Sequence, residues 1–80
     1  MFEFFVGDVV YYTTADLTLA KDKIRSITSK KEKGRVKHTY LLFSGVSKLE
    51  NELFLSLKRA KEHFERSNIQ VFIPEKLERE

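Results

Sequence analysis

The chain has no cysteine and no tryptophan. Disulfides and thiolate-held metals are therefore excluded, which fits a reducing compartment. Proline occurs once and glycine three times in 80 residues, so each marks a specific break. No apolar run approaches the about 20 residues that a membrane helix needs. Glu3 and Asp8 stand where a secretory signal would place a basic start and an apolar stretch. The expectation is a soluble, cytoplasmic protein with no membrane partner. Gly-rich phosphate loops and His/Cys/Asp clusters with metal spacing are also missing. His38 and His63 fall in different elements, and the carboxylates are dispersed. An enzyme reading has nothing to rest on. The sequence implies no cofactor, no metal and no small-molecule substrate.

What is present suits one folded domain spanning 1–80. Hydrophobic residues make up 41% and charged residues 34%, a balance that can bury a modest core. The net charge of +3 is unevenly spread. Residues 1–19 carry Glu3, Asp8 and Asp16 and no basic side chain. Residues 20–40 carry Lys21, Lys23, Arg25, Lys30, Lys31, Lys33, Arg35 and Lys37 against Asp22 and Glu32. The remainder is balanced. A local basic cluster matters more for partners than the total does.

Read for elements, DVVYYTT at 8–14 is rich in β-branched and aromatic residues and predicts a strand, with Gly7-Asp8 as the turn before it. Residues 15–22 read as a loop or an irregular hairpin arm. Residues 23–30 predict a second strand, in which Ile24 and Ile27 share a face only if a β-bulge lies between them. KEKG at 31–34 is a hairpin turn with Gly34 at its tip. Residues 35–43 alternate, with Val36, His38, Tyr40 and Leu42 opposite Lys37, Thr39, Leu41 and Phe43. SGVSK at 44–48 reads as a turn, and ENELFL at 50–55 as a short fourth strand. Ser56 caps a helix near 57–67 with Leu57, Ala60 and Phe64 on its apolar side, Glu62 and Arg66 paired, and Asn68 as its stop. A closing strand is expected near 69–73, ended by Pro74, followed by a frayed charged tail. The expected fold class is mainly β with one C-terminal helix, and the few buried positions per strand suit a strongly curved small barrel.

The stretches VGDVVYY and NELFLSLKRAKEHF resemble small bacterial and phage SH3-like barrels of the Tudor or KOW kind. The matching residues are Val6, Gly7, Asp8 and Val10, then Leu53, Phe54 and Ser56. The resemblance implies the fold more than a role, because barrels of this shape host many functions. The chain lacks an ALYDY-like stretch and a groove tryptophan, which argues against polyproline binding. A KOW motif would also be richer in glycine than residues 1–34. A methyl-lysine cage would draw on Tyr11, Tyr12, Tyr40 and Phe43, provided that they converge.

Two surfaces stand out as candidate sites. Phe2, Phe4 and Phe5 precede the first strand, and a small barrel has limited room for them. They are candidate protein-interface residues or else a plug for the barrel's open end. The leading expectation is a binding or adaptor module acting on a protein partner or as a homo-oligomer. The alternative is nucleic-acid binding through the hairpin at residues 21–37. There Lys23, Arg25, Lys30, Lys31, Lys33, Arg35 and Lys37 hold phosphates, and Tyr40 or Tyr12 stacks on bases. The competing reading of those lysines is a solvated surface that keeps edge strands from aggregating. Asp8 reads as a turn residue, and His38 and His63 as sheet-face or surface residues.

Overall fold

Chain direction is set early by one tight turn, Phe5–Asp8. The Asp8 N–H donates to the Phe5 carbonyl at 3.0 Å, and the Phe5 N–H donates back to the Asp8 carboxylate at 2.9 Å. Gly7 sits between them at φ +94°, a conformation that disfavours any side chain. The computed structural model describes residues 4–79. Within them the chain forms β1 (Val9–Thr13), β2 (Leu19–Glu32), β3 (Arg35–Leu42), β4 (Ser47–Leu49), a single 3-10 turn (Glu50–Glu52), α1 (Leu57–Arg66) and a short α2 (Glu75–Glu78). The four strands pair antiparallel in sequence order. The result is a mainly β domain with a curled sheet, a half-barrel, and a helix near the C-terminus.

The curl brings the two edges toward each other. Phe54 exchanges backbone hydrogen bonds with Tyr11 of β1, at 2.8 and 2.9 Å. The Lys48 ammonium, on β4, donates to the Thr13 carbonyl at 3.2 Å and lies 5.6 Å from the centre of the Tyr12 ring. Inside the curl pack Phe4, Val10, Tyr12, Ile24, Tyr40, Leu42 and Leu53. A second apolar cluster of Leu19, Ala60, Phe64 and Leu77, with Tyr11, Phe54 and Leu57 against it, lies between the sheet's outer side and α1. β1 is thus covered on both faces. That is why VVYYT has no polar face: both parities of the strand meet apolar neighbours.

β2 is longer than expected. It is one 14-residue strand that begins at Leu19, so half of segment 15–22 is an arm of the β1–β2 hairpin and the rest is turn. The turn is confined to residues 14–18, where the Leu17 N–H donates to the Thr14 carbonyl and Leu17 adopts φ +61°. Leu17 and Leu19 did alternate with polar neighbours. Lys21 and Asp22 concealed the strand, because the paired β1 needs no apolar partner there. The bulge required by Ile24 and Ile27 is present: Ile24 opposes Leu42, Ser26 opposes Leu41, and Arg25 is the extra residue. Ile24 is fully buried and Ile27 packs on the same cluster.

Further differences follow toward the C-terminus. The fourth strand is Ser47–Leu49 rather than part of 50–55. ENE instead winds into the 3-10 turn, because the Glu52 carboxylate accepts the Leu49 N–H at 2.9 Å. α1 starts where Ser56 accepts the Arg59 N–H at 3.1 Å. It ends at Asn68, φ +55°, with Asn68 N–H on the Glu65 carbonyl and Ile69 N–H on the Phe64 carbonyl. Residues 69–73 form no strand. Val71 and Ile73 do face inward while Phe72 faces out, but the only pairing in this described segment is one parallel bridge, Thr18 with Phe72. Nor is the tail 75–78 frayed: it forms α2, which buries Leu77 against the second cluster. No described helix is long and apolar enough to cross a membrane.

Candidate nucleic-acid interface

β2 and β3 outrun the core. Ile27 and Tyr40 form the last rung that touches it, and every residue from 28 to 37 is exposed. The overall extents of 39 × 26 × 21 Å are consistent with such a projecting arm. A two-stranded ribbon without a core beneath it is marginal by itself, so this one depends on its turn and its cross-strand pairs.

The turn is tight. Glu32 opposes Arg35, leaving only Lys33 and Gly34 as the loop, at φ +48° and +78°. Two consecutive positive φ values define a type I′ turn, whose twist matches that of the strands. Gly34 fits without strain. Lys33 does not: asparagine or glycine suits that position far better.

The register then fixes the faces. On one face lie Thr28, Lys30 and Glu32 from β2 with Arg35, Lys37 and Thr39 from β3. On the other lie Ser29 and Lys31 with Val36 and His38. Lys30 stands directly opposite Lys37. Glu32 bonds Lys30 at 3.0 Å, with both side chains largely solvated. Lys23 sits on the outer face of the sheet further down β2, opposite Val9, and Arg25 at the bulge is exposed. All seven predicted basic side chains are therefore accessible. Lys31 turns to the opposite face from Lys30 and Lys37, and Lys33 marks the tip.

The two tyrosines expected to stack on bases are core residues instead. Tyr40 is 0% exposed. Its ring packs edge-on against Phe4, centroids 5.4 Å apart, and its hydroxyl donates to the Glu50 carboxylate at 2.9 Å. Tyr12 is buried in the same cluster. Neither ring presents a face for stacking. The methyl-lysine cage fails with them, because Tyr11 packs in the second cluster on the far side of β1. The β-branched and aromatic content of these strands reports core, not site.

The N-terminal rings divide. Phe4 is 4% exposed and belongs to the core, so it is not an interface residue. Phe5 is 64% exposed, and Val6 beside it is also exposed. Phe2 lies outside the described residues. Asp8 serves its turn. The Ser29 hydroxyl and His38 Nδ1 are 2.9 Å apart on the ribbon, and His63 is exposed with its ring 5.1 Å from those of Phe54 and Phe64.

One exposed ring, which alternation puts on the side of Lys37, lies outside the basic set expected from the sequence. Phe43 is 60% exposed at the end of β3, and its N–H donates to the Lys23 carbonyl at 3.1 Å. The signal available in the sequence was a bulky aromatic immediately before Ser44-Gly45, a turn where a core ring is out of place.

Comparison of the chain with protein-family models, with curated proteins and with solved structures finds no match.

Proposed function

We propose that this domain is a non-catalytic, cytoplasmic binding module whose basic ribbon engages the phosphate backbone of nucleic acid. One observation carries the reading. The ribbon holds Lys30, Lys33, Arg35 and Lys37, with Lys31 behind them, on a projecting arm where Glu32 is the one acidic residue between 28 and 37. Lys30 and Lys37 oppose each other across the ladder, and the single Glu32 carboxylate on Lys30 leaves the pair with a net positive charge that a further anion would offset. Lys33 keeps a cation at a turn position whose backbone prefers asparagine. A surface kept merely soluble needs neither feature. A two-stranded ribbon is also narrow enough to follow a nucleic-acid groove or strand. The test is fluorescence anisotropy on labelled single- and double-stranded oligonucleotides at low salt. Binding that weakens in Lys30/Lys31/Lys33→Ala supports the reading; absence of binding at low salt overturns it.

A protein partner is the second reading, and exposed Phe5 and Val6 at the tip of the first turn favour it. Sedimentation over a range of concentrations tests the homo-oligomer form of it. A strict monomer, unchanged by Phe5→Ser, counts against that form. We also read the curled sheet, closed toward β1 by Phe54, as an SH3-like barrel of the small bacterial and phage kind; the half-barrel with its late helix supports this.

A further inference from the structure

We infer that the ligand of the basic ribbon is a single strand, with one base stacked on Phe43 and phosphates about four nucleotides along the same strand held by Lys30, Arg35 and Lys37. This rests on the nucleic-acid reading of the ribbon and names its substrate class.

Phe43 is placed as a platform rather than as a loose side chain. It opens the turn Leu42–Gly45, in which the Gly45 N–H donates to the Leu42 carbonyl at 3.0 Å. The Leu42 N–H donates across the turn to the Val46 carbonyl at 2.8 Å. The Asp22 carboxylate takes the Ser44 N–H at 3.0 Å, so this turn is tied to β2 on both sides of the ring. The braced backbone holds in place a large ring that is 60% exposed. Phe5 and Phe72 are also exposed, but Phe43 alone of the three hydrogen-bonds a residue of the basic set, Lys23, through its backbone.

The spacing suits a short strand. Alternation from buried Leu42 puts Phe43 on the side of Lys37, Thr39 and Leu41. Phe43 lies six positions beyond Lys37, about 20 Å along an extended chain. That span accommodates about four nucleotides, the lower end of what a small β-barrel covers. Stacking requires the open face of an unpaired base. A duplex offers the same phosphates but hides those faces, so the ring discriminates between the two forms where the lysines do not.

The experiment uses the full chain and the fact that it contains no tryptophan. Phe43→Trp introduces a single reporter at the platform. Titration with a ten-nucleotide oligothymidine at low salt is expected to quench its fluorescence, with affinity within about threefold of the parent. Phe43→Ala is expected to weaken that oligonucleotide about tenfold or more and to leave a duplex of equal length unchanged. Thermal melts of both variants confirm that they are folded. Binding of the single strand without quenching, or equal loss on single strand and duplex, overturns the stacking role while the ribbon reading stands. If the parent chain binds neither form at low salt, both readings fall together. If it binds duplex alone, only the inference falls.

Discussion

Lys30 and Lys37 face each other directly across the β2–β3 ladder on a ribbon that has no core beneath it. Like charges so placed repel, by a few tenths of a kcal/mol to about 1 kcal/mol. An anion bound over the pair offsets that cost. Lys37→Glu removes that repulsion, so it should raise the melting temperature slightly and weaken nucleic-acid binding at least tenfold. A variant that gains stability and keeps its affinity removes Lys37 from the site. Parallel thermal melts and anisotropy titrations check it.

The tip makes the same separation. Lys33 adopts φ +48° in the type I′ turn. Lys33→Asn relieves this and should stabilise the fold by about 1 kcal/mol in urea denaturation. If Lys33 holds a phosphate, the same substitution lowers the salt slope of binding by about 0.7 to 0.9. A stabilised variant with an unchanged slope would leave the tip as a turn only.

Tyr40 is structural. Tyr40→Phe removes the bond to Glu50 and should cost about 1–2 kcal/mol. Tyr40→Ala leaves a cavity beside Phe4 and should cost about 3–5 kcal/mol. Oligonucleotide affinity of the folded Tyr40→Phe variant should not change. A marked loss of affinity without a loss of stability would return Tyr40 to the site.

Acid should loosen the turn beneath Phe43. Burial pushes the Asp22 carboxyl up, but bonds from the Ser44 hydroxyl and from the N–H groups of Lys23 and Ser44 outweigh it and hold the group below the ordinary 3.8. A carboxylate depressed in the folded state adds stability that is whole above its unfolded pKa. That stability is lost as pH falls through the folded value. The Asp22 contribution should therefore be intact at neutral pH and disappear only below about pH 4. Asp16, lowered by the Thr14 and Thr18 hydroxyls, acts in the same direction at the first hairpin. Asp22→Asn should be less stable than the parent at pH 7 and show a shallower loss from pH 5 to 2. Equal acid slopes would contradict this.

Much of the fold was legible in the sequence because its signals are local. Gly7-Asp8, Gly34, Ser56 and Asn68 each hold the turn or cap that their chemistry favours. The parity mismatch of Ile24 and Ile27 located the bulge to within a residue. Non-local pairing was less visible. Lys21 and Asp22 lie within a strand because β1 pairs with them, and Phe72 alternates like a strand residue but finds a single bridging partner. The candidate site was half legible. Charge is read directly, and its lysines and arginines are accessible as expected. Ring exposure is not read directly: Tyr40 and Phe43 are three residues apart on one strand and its turn, yet one is fully buried and the other is mostly exposed.

The most direct measurement is the affinity of the unmodified chain for a labelled single-stranded oligonucleotide, followed from about 20 to 300 mM salt. Contacts to about four phosphates predict binding at low salt that falls steeply, with a slope of log K against log salt near −3. No binding at 20 mM salt, or binding indifferent to salt, would contradict the assignment of the ribbon to nucleic acid.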